Sequence, residues 1–452
     1  VLDRATRVLD DGQLLTGGDP PRVMRLSAEG RDVFNQLRTV GASDTAGART
    51  LARRLTDAGL MHPHPHGREI PALEVTFVIP VRDRPVELRR CLATLRYAAP
   101  SQRVIVVDDG SRDSQTVSEI SHQHQAELVR LDTSRGPAAA RNAAIPQVET
   151  QLVAFLDSDC IPQDGWIDQL VAHFLDPLVA AVAPRIVGDD ENSGGAIARF
   201  SEAYSPLNLG QYPARVVPGR RVSYVPTAML LVRLAAIDAG FDPELRYGED
   251  VDFVWRLHDA GWRVRYEPAV LVRHPEPRDL PNLLARRFRY GTSAAPLAVR
   301  HPDRLSPLQF TPSSAALVVT ALAGCPLTTA TIAAAQILPL AKRLDATGVP
   351  FSQAVRWQLQ GAGQTFLATG RALTALTPWL LAAGTRSRHT RRASLAVLAA
   401  PPLFEWVRRK PPLDPVRWTG LAIADNIAYG TGVWAGSVRA RCCSALLPRR
   451  ST

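Results

Sequence analysis

Residues 151–160, QLVAFLDSDC, constrain this chain more than any other stretch. An apolar run rich in β-formers, residues 152–156, ends abruptly in two carboxylates one residue apart, Asp157 and Asp159. Such a run reads as a buried strand. A buried strand that delivers two acids at its carboxyl end is unfavourable unless something offsets their charge. A hard divalent cation, Mg²⁺ or Mn²⁺, does so, because it accepts one or two carboxylates and completes its shell with water and phosphate oxygens. Alone, Asp-x-Asp reads equally well as a strand end with two solvated acids in a turn, so the surrounding sequence has to decide.

That surrounding sequence alternates. Residues 74–81, 103–109, 127–131 and 152–156 read as strands, and 86–96, 114–125 and 136–144 as helices, the last with Pro137 in its first turn. The alternation predicts a mostly parallel α/β sheet with ligands at the carboxyl ends of the strands. Three of those ends are polar: Arg82-Asp83-Arg84 after Pro80, Asp108-Asp109, and Asp157-Ser158-Asp159. No Gly-x-Gly-x-x-Gly follows the first strand and no Gly-x-x-x-x-Gly-Lys-Ser/Thr occurs, which disfavours a dinucleotide Rossmann domain and a P-loop phosphotransferase.

Further on, 180–186 and 224–232 read as strands, 200–217 as loop, and 261–272 as a strand pair closed by His274. A helix over 247–257 carries Glu249 and Asp250 in its first turn, where the dipole favours carboxylates and a rigid start positions a base. Helix capping is the alternative role for those acids. Val251, Val254, Trp255 and His258 form its inner face. Arg286, Arg287 and Arg289, beside Tyr290, are placed to contact phosphate or an acceptor.

The flanks differ from this core. Residues 1–66 show three short β-like runs and two small helices, a winged-helix-like pattern, but their mixed charges make a poor nucleic-acid footprint. Residues 67–72 are linker; His62, His64 and His66, among prolines, read as solvated linker rather than a metal site. The net charge of +10 lies beyond residue 300, where the acids are only Asp303, Asp345, Glu405, Asp414 and Asp425. No charged residue falls between positions 305 and 341, long enough for a membrane span, and basic clusters flank the later apolar runs. Membrane association of 301–452 is therefore expected, by spans or by in-plane helices. Five cysteines without a CxxC spacing, and an acid-bearing start without an apolar run, point to a reduced environment and no secretory signal.

With these residues in hand, 74–291 resembles the family 2 glycosyltransferases of the GT-A fold. The resemblance rests on VIPVRDRP (78–85), VVDDGSRD (106–113), SRGPAAARN (134–142), FLDSDC (155–160) and GEDVDFVWRL (248–257), in the family's order. GGDPPRVMRLSAEG (17–30) and LARRLTDAGLMHP (51–63) resemble PqqD-like domains, which grip precursor peptides. The two together resemble the glycosyltransferases of the mycofactocin system. The resemblance implies a PqqD-like domain at 1–66, a GT-A (Rossmann-like) nucleotide-sugar-binding domain at 73–300, and a helical, membrane-associated region at 301–452, with the catalytic domain on the cytoplasmic side of the cell membrane.

It implies an inverting, metal-dependent transfer of glucose, from a nucleotide-sugar such as UDP-glucose, onto a peptide-derived redox cofactor precursor, building a β-linked oligoglucose. Pro80, Arg82, Asp83, Asp108, Asp109, Arg135, Asp157, Ser158 and Asp159 would bind the donor. Asp159, His274 and Asp157 would hold Mg²⁺ or Mn²⁺. Asp250, beside Glu249, would be the general base, and Trp255, Arg286, Arg289 and Tyr290 would meet acceptor or phosphate. The precursor peptide is an implied partner of 1–66. One departure is that Arg286–Tyr290 only approximates the Gln-x-x-Arg-Trp of processive members. A membrane polysaccharide synthase or lipid-linked sugar transferase of the same family is the alternative.

Overall fold

Three short strands, β1 (Arg7–Leu9), β2 (Leu14–Gly17) and β3 (Arg22–Arg25), open the chain as an antiparallel sheet in that order. Two helices follow, α1 (Ala28–Thr39) and α2 (Ala46–Asp57), and both begin where the sequence supplies a cap. The Ser27 side chain accepts from the Gly30 N–H, and the Thr45 side chain from the Ala48 N–H. Leu15, Phe34, Leu55 and Leu60 are their common core. The computed structural model describes residues 1–41, 45–64, 73–163, 165–189, 194–388 and 390–450. Most of the expected linker, with His66, lies outside these. His62 is not a solvated linker residue: it is 6% exposed, with Nε2 2.8 Å from Asp3 Oδ2.

The chain divides into two compact units, Val1–Asn192 with Tyr204–Glu276, and Ser193–Ala203 with Pro277–Thr452. In the first, β4 (Val75–Val81), α3 (Pro85–Ala98), β5 (Arg103–Asp109), α4 (Ser114–Gln123), β6 (Glu127–Leu131), α5 (Pro137–Ala144) and β7 (Leu152–Leu156) alternate. Then come β8 (Ile161–Pro162), α6 (Trp166–Val171) and β9 (Val179–Gly188); α7 (Ala196–Ala203) belongs to the other unit; β10 (Ala214–Val216), β11 (Met229–Arg233), α8 (Glu249–Asp259) and β12 (Arg263–His274) complete the first. The sheet runs β10-β12-β9-β11-β7-β4-β5-β6, with β8 paired to β12. β4 and β7 are buried on both faces, which is why they read as unbroken apolar runs.

Two sequence expectations change. The sheet is mixed, because β11 pairs antiparallel with both β7 and β9, and β10 antiparallel with β12. The strand pair expected over 261–272 is one long strand, parallel to β9, whose register shifts between Glu267 and Leu271. Pro268 within that shift has no N–H for the ladder, so the irregularity falls where it disturbs pairing least.

The second unit is helical: α9 (Leu280–Thr292), α10 (Ala294–Arg300), α11 (Pro312–Leu322), α12 (Pro326–Asp345), α13 (Phe351–Leu376), α14 (Pro378–Arg386), α15 (Arg391–Arg409) and α16 (Pro415–Ala440). A two-residue parallel pair joins β13 (Gln309–Phe310) to β14 (Arg449–Arg450). α9 and α10, read from sequence as part of the 73–300 domain, cluster with these helices. Glycine lets α9 and α16 approach closely: a Cβ built on Gly432 would stand 2.1 Å from the Phe288 carbonyl oxygen. Between the same helices, Arg287 Nε lies 2.9 Å from Oδ1 of buried Asp425.

The expectation of a cell-membrane protein is overturned, since among the described residues no helix is long and apolar enough to cross a membrane. The uncharged stretch is cut by Gly324, at φ +71°, and Pro326 into helices of 11 and 20 residues, and the second carries Lys342 and Arg343 in its last turn. A span needs about 20 consecutive apolar residues.

Candidate active site

The carboxyl ends of β4, β5 and β7 face one region, and α8 starts beside it. After β4 the chain turns through Asp83, whose φ of 53° is left-handed. Its N–H donates to Ser111 Oγ at 3.0 Å, and its Oδ1 accepts the Arg112 N–H at 2.9 Å. Asp108 is fully buried; it accepts the Ser111 N–H at 2.8 Å and pairs with Arg130. Asp109 accepts the N–H groups of Arg135 (2.7 Å) and Gly136 (2.9 Å) and the Ser134 hydroxyl (2.8 Å). Arg82 donates to Ser134 at 2.8 Å. The β5 acids, with Arg82 and Asp83, thus tie the loops after β4, β5 and β6 into one rim. Among the residues expected to bind donor, Asp108 and Asp109 build that rim, Arg82, Asp83 and Arg135 stand on it, and Pro80 lies within β4, paired in register with Val107.

At the end of β7, the Asp157 N–H donates to the Ala228 carbonyl at 3.0 Å, and the Cys160 N–H closes a turn onto the Asp157 carbonyl at 3.0 Å. Ser158 inside the turn is buried. The turn sends the two acids to different partners. Asp157 Oδ1 accepts from Arg141 Nη2 at 2.7 Å. Asp159 Oδ1 lies 3.7 Å from His274 Nε2, and its other oxygen is paired with Arg84.

Arg141 is the residue that sequence reasoning missed. It sits on α5 among buried alanines, is 2% exposed, and extends from Asp157 to Glu249, reaching Oε1 at 3.0 Å. Its guanidinium carbon lies 5.4 Å from the centroid of the Phe241 ring. A charge on an Ala-only helix face, in AAARNAA, was the signal available. Burial opposes its charge, but Asp157 and Glu249 outweigh that and raise its pKa.

Asp250 follows Glu249 at the start of α8, after Gly248 in the left-handed region. Burial, then the Glu249 carboxylate, push its carboxyl up to about 7, against the Val251 N–H it accepts and the Arg141 charge. A carboxyl poised there can take a proton from a hydroxyl at neutral pH. Trp255, one of the expected acceptor contacts, is 3% exposed and donates its indole N–H to the Ser223 carbonyl at 2.7 Å. Arg286, Arg289 and Tyr290 fall on α9, in the other compact unit.

Among the described residues no group of three or more His, Cys, Asp or Glu could hold a metal by itself. The structure pairs Asp157 with Arg141, leaving Asp159 and His274 of the expected ligands side by side. The buried Nδ1 of His274 has no hydrogen-bond partner among the described residues. One carboxylate and one imidazole do not make a cage, but they suit a cation that draws its remaining ligands from phosphate and water.

The "Glycosyl transferase family 2" model matches residues 76–238, from β4 through β11. The chain is 39% identical over 467 residues to the pre-mycofactocin glycosyltransferase of Mycobacterium tuberculosis, covering 100% of this chain and 97% of that protein. The poly-beta-1,6-N-acetyl-D-glucosamine synthase of Staphylococcus epidermidis is 24% identical over 214 residues, 46% of this chain and 51% of that one. Among solved structures, the mannosyltransferase PcManGT of Pyrobaculum calidifontis covers 76% of this chain and 90% of its own, at 19% identity and a TM-score of 0.41, too low a likeness to bear on the site. The synthase matches less than half of the chain, whereas the mycobacterial enzyme matches all of it. The chain is a glycosyltransferase and belongs to the mycofactocin-system branch of glycosyl transferase family 2.

Proposed function

We propose that this enzyme transfers glucose from UDP-glucose onto pre-mycofactocin, a peptide-derived acceptor, with inversion, and so builds a β-linked oligoglucose. Asp250 carries the reading. Its raised carboxyl stands at a rigid helix start and is joined through Glu249 and Arg141 to the Asp157 end of β7. In the step, Asp250 takes the proton of the acceptor hydroxyl as that oxygen attacks the anomeric carbon, and the bond to the diphosphate breaks. One base suffices, and no glycosyl-enzyme forms. Asp157 and the rim of Arg82, Asp83 and Arg135 hold the nucleotide. Asp159 and His274 are the residues that would hold Mg²⁺ or Mn²⁺, which when bound supplies the positive charge that stabilises the leaving diphosphate.

The full-length relative favours this acceptor over a lipid or a glucan. On the same reading the N-terminal domain is PqqD-like and takes the precursor peptide, which anisotropy of a labelled peptide on the whole chain would test. The deciding experiment measures nucleoside diphosphate release from a nucleotide-sugar panel with the cofactor precursor as acceptor, in Mn²⁺ or Mg²⁺ and then in EDTA. UDP-glucose turnover that EDTA abolishes is expected. Turnover only on lipid or glucan acceptors sinks the acceptor assignment, and full turnover in EDTA sinks the metal.

A further inference from the structure

Arg141 links two elements that are far apart in sequence. Its Nη2 donates to Asp157 Oδ1 at 2.7 Å and its Nη1 to Glu249 Oε1 at 3.0 Å, so one planar guanidinium spans the end of β7 and the start of α8. The next residue of α5 holds the approach to α8. Asn142 Nδ2 donates to the Phe241 carbonyl at 2.7 Å, and its Oδ1 accepts the Phe241 N–H at 2.8 Å. Phe241 in turn stacks on Phe253 of α8 (centroids 4.4 Å) and meets Phe155 of β7 edge-on (5.0 Å). A buried cation between two carboxylates, over an aromatic face and beside a two-way backbone clamp, is a fixed strut. No atom of it needs to touch substrate to matter.

We propose that Arg141 is a positioning residue, which sets the distance between the base on α8 and the donor-contacting end of β7. This rests on the proposed role of Asp250. If the base and the donor are registered by one guanidinium, loosening it degrades the geometry of attack while donor binding on the rim survives. Misplacing a reacting group by about 1 Å costs on the order of 10²-fold in rate. Lysine keeps the charge but has no planar fork to reach both acids.

The test compares Arg141→Lys and Arg141→Met with wild type, reading diphosphate release with UDP-glucose. The expected result is a kcat lower by about 100-fold in Arg141→Met, partly recovered in Arg141→Lys, with the donor KM changed less than about threefold. Combined with Glu249→Gln, the losses should be less than additive, because both substitutions cut the same strut. A folded Arg141→Lys enzyme with wild-type kcat, or one whose loss lies entirely in KM, overturns the positioning role.

Removing the cation leaves two acids unpaired, so Arg141→Met can fail to fold; Arg141→Lys then carries the comparison. Hydrogen exchange over residues 241–252 needs no turnover. At least tenfold faster exchange is expected in Arg141→Lys, and unchanged exchange overturns the strut. Absence of UDP-glucose turnover by the wild-type enzyme would count against the function reading, while the exchange experiment still decides the strut.

Discussion

Asp250 carries a carboxyl raised to about 7 by burial and by Glu249, so its protonation changes near neutral pH. As a base it must be ionised, and kcat/KM should climb through an acid limb near pH 7 and level off above it. Asp250→Asn should lower transfer by about 10²–10⁴-fold. The stability effect has the opposite sign. A carboxyl raised above its unfolded value binds its proton more tightly in the folded protein, so it stabilises most below pH 4 and that contribution is lost as pH rises to 7. The Asp250→Asn variant lacks this loss, so its Tm relative to wild type should increase from pH 4 to pH 8; a constant difference would show that the carboxyl is not raised. Asp157, Asp159 and Asp250 could be found in the sequence because acids at strand ends and helix starts announce themselves locally. The partners of Arg141 and Arg84 could not, since a residue's partner 108 or 75 positions away is set by how the sheet closes.

At the scale of elements, α9 and α16 approach so closely at Gly432 that no side chain has room there. Gly432→Ala would place its Cβ 2.1 Å from the Phe288 carbonyl oxygen, so urea denaturation should show a loss of about 1–3 kcal/mol. Gly420, also on α16, has nothing within 4 Å of its would-be Cβ. Gly420→Ala should stabilise by up to about 1 kcal/mol through helix propensity and reduced unfolded-state freedom. Equal effects at the two sites would refute the close-packing account. Periodicity located β4 to β7 to within a residue or so, because β4, β5 and β7 are built on continuous apolar runs with one answer and β6 lies between two clear helices. It could not orient β11, whose sequence reads the same for parallel and antiparallel pairing, nor show that 263–274 is one strand across an irregular register.

At the scale of the whole molecule, the N-terminal residues 1–62 are held to the β10–β12 edge within the first unit by arginines facing acids. Arg221 reaches Asp3 at 3.0 and 3.2 Å, and Arg263 bridges Asp57 (2.8 Å) and Asp176 (2.6 Å). Burial opposes the Asp3 charge, but His62 and Arg221 hold its carboxyl well below the usual range. The double variant Arg221→Ala, Arg263→Ala should speed hydrogen exchange across residues 1–62 several-fold and leave donor turnover within about twofold, since neither arginine belongs to the strand-end site. Unchanged exchange would mean that apolar contacts alone hold the domain.

By itself the sequence determined the alternating α/β core, the acids at its strand ends and the family, because local periodicity and short motifs encode these directly. Only the tertiary structure decided that the sheet is mixed, that a buried arginine couples Asp157 to Glu249, and that among the described residues the C-terminal stretches form no helix long and apolar enough to span a bilayer. Strand direction and long-range ion pairing depend on which surfaces meet, and local sequence does not carry that information.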